Sequence, residues 1–124
     1  FRQIRYGGRR FTTDDFNAEH QKCLSFIKQS VANSTAEHIV VITHHLPSLA
    51  VVASQHKGSL LNSAFATELG DFIADSRIDA WIFGHSHANG EATISNTRLV
   101  CNQLGYVSYG EHLGGFDGGK FIEI

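Results

Sequence analysis

Two short runs constrain this chain more than anything else in it. Ile39–Thr43 and Ala80–Phe83 are each apolar without interruption until their ends. Runs without polar alternation suit strands covered on both faces, by helices or by a second sheet. Each run passes directly into histidines, as Thr43-His44-His45-Leu46-Pro47-Ser48 and as Phe83-Gly84-His85-Ser86-His87. In open α/β sheets the C-terminal edge of the strands is where ligands collect. The first expectation is therefore an α/β fold with a histidine-rich site at one sheet edge.

The remaining elements follow from spacing and turn chemistry. Residues 1–12 read as a loop turning at Gly7-Gly8, with Arg2, Arg5, Arg9 and Arg10 among the chain's 10 basic residues. That is a solvated loop or, less simply, a phosphate-facing edge. Thr13 or Asp14 can cap a helix, with Asp14 and Asp15 suited to its positive end. Phe16, His20, Cys23, Leu24, Ile27 and Val31 then keep helical spacing, which predicts a helix from about residue 14 to 32. Residues 46–61 read as a long mobile connection. Asn62 is placed to cap a second helix with Phe65, Leu69, Phe72 and Ile73 on its apolar face. Glu91–Ser95 and Arg98–Cys101 read as a hairpin turning at Asn96-Thr97. Asn102–Gly119 reads as a glycine-rich loop and Lys120–Ile124 as a last strand. Neither an internal repeat nor a linker divides the chain, so a single domain is expected.

Composition narrows the class. A chain of 124 residues with 42% hydrophobic and 18% charged residues suits a globular unit. No apolar run reaches the roughly 18 residues that cross a membrane, and a net charge of −2 gives no reason to expect nucleic-acid or membrane binding. Cys23 and Cys101 are far apart, which suggests free thiols and a cytoplasmic location. With no Met in the sequence, Phe1 is an unlikely natural start, and a fragment is expected. Of eight His, four fall in the two segments already named. His20, His38, His56 and His112 show no grouping and read as structural or exposed.

His85 and His87 stand at i and i+2, so in extended backbone both side chains leave on one side. With His44 from a neighbouring strand end, they can offer three imidazole nitrogens to a metal. Gly84 would leave room for that approach and permit a turn that other residues resist. Imidazole suits Zn, Fe, Mn or Ni without choosing between them. Two alternatives compete. Histidines can simply bond to loop backbone, and Gly84-His85-Ser86-His87-Ala88 looks like the nucleophile elbow of serine hydrolases. The elbow needs a helix after its serine, whereas Asn89-Gly90 and two short β runs follow here. Its downstream acid and histidine would have to be Glu91 or Glu111 and His112.

Val41-Ile42-Thr43-His44-His45-Leu46-Pro47-Ser48 and Trp81-Ile82-Phe83-Gly84-His85-Ser86-His87 resemble the last two motifs of calcineurin-like metallophosphoesterases. Those are a strand ending V-x-x-H and a strand ending G-H-x-H, here about 40 residues apart with a helix expected between them. The Gly-Gly-Arg-Arg-Phe-Thr stretch, Leu61–Phe65 and Arg98–Asn102 are similar to one bacterial branch of that family, so the likeness covers nearly the whole chain. The resemblance implies a four-layer α/β/β/α sandwich, of which this chain would be the C-terminal half: one mixed sheet with covering helices. It also implies that His44 and His85 bind one metal and His87 the other. His45 would face the ligands or the substrate. Gln103 stands where that branch has proline.

The earlier motifs of the family (D-x-H, G-D-x-x-D, G-N-H-D/E) are not in this sequence. The resemblance thus implies a metal-dependent phosphomonoesterase or phosphodiesterase whose other half lies upstream. Two divalent ions, Mn, Fe or Zn, roughly 3.5–4 Å apart would act on a phosphoester substrate. Residues 46–61 and 103–118 would shape the pocket. Taken alone, the fragment is expected to be inactive and poorly stable. The competing reading is a non-catalytic module in which three histidines hold one ion.

Overall fold

The computed structural model describes residues 3–124, and Arg2 of the basic loop lies outside them. The chain forms two compact units, one ending at Thr35 and the other spanning Ala36–Ile124. Together they make a small α/β protein with two α-helices and a mixed four-stranded sheet among the described residues.

The first unit holds a hairpin and the long helix. What reads as a loop is a pair of two-residue strands, β1 (Arg5–Tyr6) and β2 (Arg9–Arg10). Gly7 and Gly8 both have positive φ, 57° and 82°, the backbone that a two-residue hairpin turn requires. Helix α1 runs Thr13–Asn33. Its cap is Thr12, one residue before the expected positions, in a full capping box: Asp15 N–H donates to the Thr12 hydroxyl and Thr12 N–H to the Asp15 carboxylate. Arg9 pairs with the same carboxylate. Hydrogen bonds from Arg9 and then Thr12 hold Asp15 well below the usual carboxylate range. Arg9 is thus engaged within its own unit.

The second unit is built on the sheet. Its strands are β3 (Val40–Ile42), β4 (Ala80–Ile82), β5 (Ala92–Ile94) and β6 (Thr97–Val100), in the order β3-β4-β6-β5. β3 and β6 run parallel to the central β4, and β5 runs antiparallel to β6. Parallel neighbours need a long crossover. Residues 43–79 supply the one between β3 and β4. The β5–β6 hairpin turns at Ser95-Asn96, one residue earlier than expected, with Ser95 at φ 52°. Ala80, Trp81, Phe83 and Leu99 are buried and form the core with Ile73 and Ile78. β3 departs from the expectation of full burial. Val41 is 7% exposed, but Val40 and Ile42 are 42% and 71% exposed. β3 is an edge strand whose residues alternate between faces, and only the Val41 side is packed.

Among the described residues one expected element is shortened and another is absent. The second helix does not start at Asn62. A 3₁₀ turn spans Leu60–Ala64, and α2 is only Gly70–Ala74, with Leu69 at its cap. The backbone between them bonds elsewhere: Leu46 N–H donates to Phe65, Thr67 N–H to Leu46, and Leu69 N–H to Pro47. Donors and acceptors engaged in this parallel bridge cannot also close helical turns. The same bridge corrects the reading of a mobile connection, because Leu46, Pro47, Ser48, Val51 and Val52 are buried. α2 sets Phe72 edge-on against Trp81, with ring centroids 6.5 Å apart. Lys120–Ile124 forms no strand. That segment is tied instead by Lys120 to Glu91 and to the Cys101 carbonyl. No helix of the described residues is long and apolar enough to cross a membrane.

Candidate metal centre

The parallel pairing of β3 and β4, in register at Ile42 and Ile82, brings both histidine segments to one sheet edge. The pairing continues past the strands: Thr43 N–H donates to Ile82 and Gly84 N–H to the His44 carbonyl, each at 3.0 Å. His44 and His85 therefore face each other, with His85 Nδ1 at 3.0 Å from His44 Nε2. His45 joins them, its ring centroid 4.5 Å from His85 and 5.3 Å from His44. Phe65 lies against the His85 ring at 4.8 Å. Partial burial, then the neighbouring His44 and His87, push the His85 pKa below its ordinary value. Each of these favours the neutral ring, the form that binds metals.

The turn that carries His44 and His45 is fixed by a residue that its sequence position does not mark. The Thr43 hydroxyl accepts from the Trp81 indole N–H at 2.9 Å and donates to the His45 carbonyl at 2.8 Å. One buried ring on β4 thereby locks the exit from β3.

The backbone through His85 and His87 is not extended, which corrects the reason given for their convergence. His85 has φ 74° and His87 φ 53°. Ser86 N–H donates to the Gly84 carbonyl at 3.0 Å, an i to i+2 bond around a positive φ, which is the rare strained form of the γ-turn. The two rings meet different partners. His85 turns to His44, while His87 Nδ1 lies 2.9 Å from Glu111 Oε2 and its ring meets Tyr106 edge-on at 4.6 Å. Among the described residues no three His, Cys, Asp or Glu side chains are gathered as ligands of one ion. The expected role of Gly84 also changes. It has no positive φ, and a Cβ there would meet His44 backbone oxygen at 3.5 Å, an ordinary contact. The unusual conformations belong to the histidines themselves.

Gln103 is the clamp on this loop. It is 8% exposed. Its Oε1 accepts from His87 N–H at 2.8 Å, and its Nε2 donates to the Ala88 carbonyl at 2.8 Å and to Ser86 Oγ at 3.0 Å. Asn89 returns the grip: its Oδ1 accepts from Gln103 N–H at 2.6 Å and its Nδ2 donates to Gln103 O at 3.0 Å. Ser86 is thus held by Gln103, and no helix follows it. The nucleophile elbow is not formed.

A cleft of about 460 Å³ opens beside His87, lined by residues 53–55, His87–Asn89, Gly110, Glu111 and Gly114. Both expected pocket segments contribute to it. Glu111 and Gln103 are the residues whose contacts to His87 sequence reasoning did not foresee: it named Glu111 only as a possible acid of a serine triad and Gln103 only as a departure from the family pattern. The only signal was a carboxylate and an amide in a glycine-rich stretch. His38 sits at the opposite end of the sheet, 3.5 Å from Asp79, whose carboxylate also accepts from Ile39 N–H. Cys23 and Cys101 are free thiols.

No family model matches this chain, and no solved structure matches it. The chain is 28% identical over 104 residues to an uncharacterized protein of Acanthamoeba polyphaga mimivirus, a match covering 78% of this chain and 36% of that protein. It therefore spans about a third of the length of the curated relative it matches.

Proposed function

We propose that this chain belongs to a metal-dependent phosphoester hydrolase of the calcineurin-like metallophosphoesterase type. In that reading the sheet with α2 is part of one half of the α/β/β/α sandwich. The remaining ligands come from residues outside these 124. The observation that carries it is the His44–His85 nitrogen pair at parallel strand ends, with His85 in a strained turn. Two nitrogens at about 2.0–2.1 Å from one ion, subtending roughly 90–109°, stand about 2.8–3.4 Å apart. The observed separation is 3.0 Å, so the pair fits adjacent positions on one divalent ion. Strained backbone persists where function requires it, and here it aims His85 at His44.

His87 faces a different neighbourhood, on Glu111 and Tyr106, which suits a ligand of a second ion rather than a third ligand of the first. That division favours the dinuclear reading over a three-histidine mononuclear module. The two ions would supply Lewis acidity toward the phosphoryl group and a water made acidic enough to attack near neutral pH. The chain's own part is to hold the imidazoles in place through Thr43, Gln103 and Glu111. His45, beside His85, is placed to meet a bound phosphoester. Two free thiols accord with a cytoplasmic enzyme.

The test uses the complete natural protein. Elemental analysis should find two divalent ions per chain, Mn, Fe or Zn, and p-nitrophenyl phosphate mono- or diester should be hydrolysed until a chelator is added. His85→Ala should abolish most of that activity. One ion per chain with no hydrolysis would favour the non-catalytic module. No ion, even after incubation with Mn or Zn, would overturn the metal reading altogether.

A further inference from the structure

We infer that Glu111 is a positioning residue that fixes the tautomer of His87, so that Nε2 is the nitrogen offered to an ion; this rests on the metal-centre reading above. The argument starts from donors and acceptors. Glu111 Oε2 accepts from Tyr106 backbone N–H, and the same oxygen lies 2.9 Å from His87 Nδ1. A backbone N–H can only donate and a carboxylate can only accept. The oxygen therefore accepts from both, and the proton of the His87 ring sits on Nδ1. In a neutral imidazole the other nitrogen must then carry the lone pair. A free imidazole favours the opposite arrangement, so the carboxylate sets this one.

Three contacts keep that lone pair aimed. Gln103 Oε1 holds His87 N–H at 2.8 Å, which fixes the backbone at φ 53°. Tyr106 meets the ring edge-on at 4.6 Å, which limits its rotation. Glu111 holds Nδ1 itself. The His87 side chain keeps 35% of its surface exposed and lines the cleft with Glu111, so the ring is open to an ion entering the cleft. Carboxylates that orient a ligating histidine in this manner are worth about 10–100-fold in metal affinity or activity. Because Glu111 also fixes the Tyr106 backbone, it ties the 106–113 segment to the geometry of the ligand.

Two measurements on the complete protein test this, with Glu111→Ala and Glu111→Gln. The first is made without metal. Long-range proton–nitrogen spectra of the imidazole should show His87 protonated at Nδ1 in the wild type and in Glu111→Gln, whose amide oxygen must still accept from Tyr106 N–H. Glu111→Ala should move the proton largely to Nε2. An unchanged tautomer in Glu111→Ala overturns the inference. The second is titration with Mn or Zn alone. Glu111→Ala should weaken one of two ions about 10–100-fold and leave the other unchanged, while Glu111→Gln recovers most of the loss. Equal weakening of both ions would indicate a general loss of structure and overturn it. A wild type that binds neither ion refutes the metal-centre reading instead, and the metal-free spectra still judge the role of Glu111.

Discussion

Replacing Gln103 by Ala should destabilise the protein by about 2–4 kcal/mol, although Gln103 belongs to no helix or strand. The side chain makes three hydrogen bonds, to His87 N–H, Ala88 carbonyl and Ser86 hydroxyl. Each is worth a net of about 0.5–1.5 kcal/mol, and a stranded partner that water cannot reach adds about 1–3 kcal/mol. His87 and Ala88 are half-buried, so water can recover part of that penalty, which places the sum near the stated range. The two Asn89 bonds survive, because they use the Gln103 backbone. Gln103→Glu separates the contributions. One carboxylate oxygen can still accept from His87, but the other replaces the donor facing the Ala88 carbonyl and now repels it. Protonation restores a donor, so the folded state should raise this carboxyl's pKa. A raised folded pKa means the penalty is full at neutral pH and fades as pH falls. Urea unfolding at two pH values reads both effects. A Gln103→Ala change within about 0.5 kcal/mol, the range of an ordinary surface substitution, would refute the clamp.

Two further outcomes follow from the same accounting. Thr43→Val strands the Trp81 indole N–H and should cost about 1–3 kcal/mol, whereas Thr43→Ser, which keeps the hydroxyl, should lose little; a loss in Thr43→Ser with none in Thr43→Val would mean the methyl group, not the hydroxyl, matters. Burial pushes the Glu68 carboxyl up, but hydrogen bonds from Leu49 and Gly70 N–H and the Ser48 hydroxyl outweigh it and hold the pKa below the usual glutamate value of 4.5. A lowered folded pKa contributes stability above the unfolded value and loses it as pH falls, so the stability gap between wild type and Glu68→Gln should close below about pH 4.5 in denaturant titrations; a gap independent of pH would count against the charge.

What the sequence disclosed and what it withheld divide along one physical line. β4 was legible because burial of a strand demands an apolar run, and β3 was located by the same pattern although only its Val41 side is packed. The histidine edge was legible for the same reason, since residues just past such strands share one end of the sheet. The extent of α2 was not legible, because Leu46 takes the backbone partners at 65–67, and no local pattern reports a bridge formed 20 residues away. Gln103 and Glu111 were hidden likewise. Their bonds to His87 span 16 and 24 residues, and glycine-rich loops carry no periodicity from which to infer them. The separate partners of His85 and His87 were not legible because a two-residue spacing predicts a common side only for extended backbone, and both residues have positive φ.

The positive φ of His85 supplies a final test of why this residue stands where it does. An L-residue held at left-handed backbone angles costs roughly 1–2 kcal/mol, while glycine pays almost nothing for them. On stability alone, the site at φ 74° asks for glycine, and a histidine there is explained by what its ring contributes. Ala and Gly both delete the ring, so His85→Ala and His85→Gly should lose the His44 contact equally. They should differ in stability. Gly relieves the backbone strain and Ala does not, whereas glycine's larger unfolded-state entropy offsets about 0.5–1 kcal/mol. Net, His85→Gly should be the more stable of the two by about 0.5–1 kcal/mol, the reverse of the usual order at an ordinary position. Denaturant unfolding of both variants without metal measures it directly. If Ala proves equal or better, the strain at His85 is not real in solution, and the structural reason for reading it as a functional position goes with it.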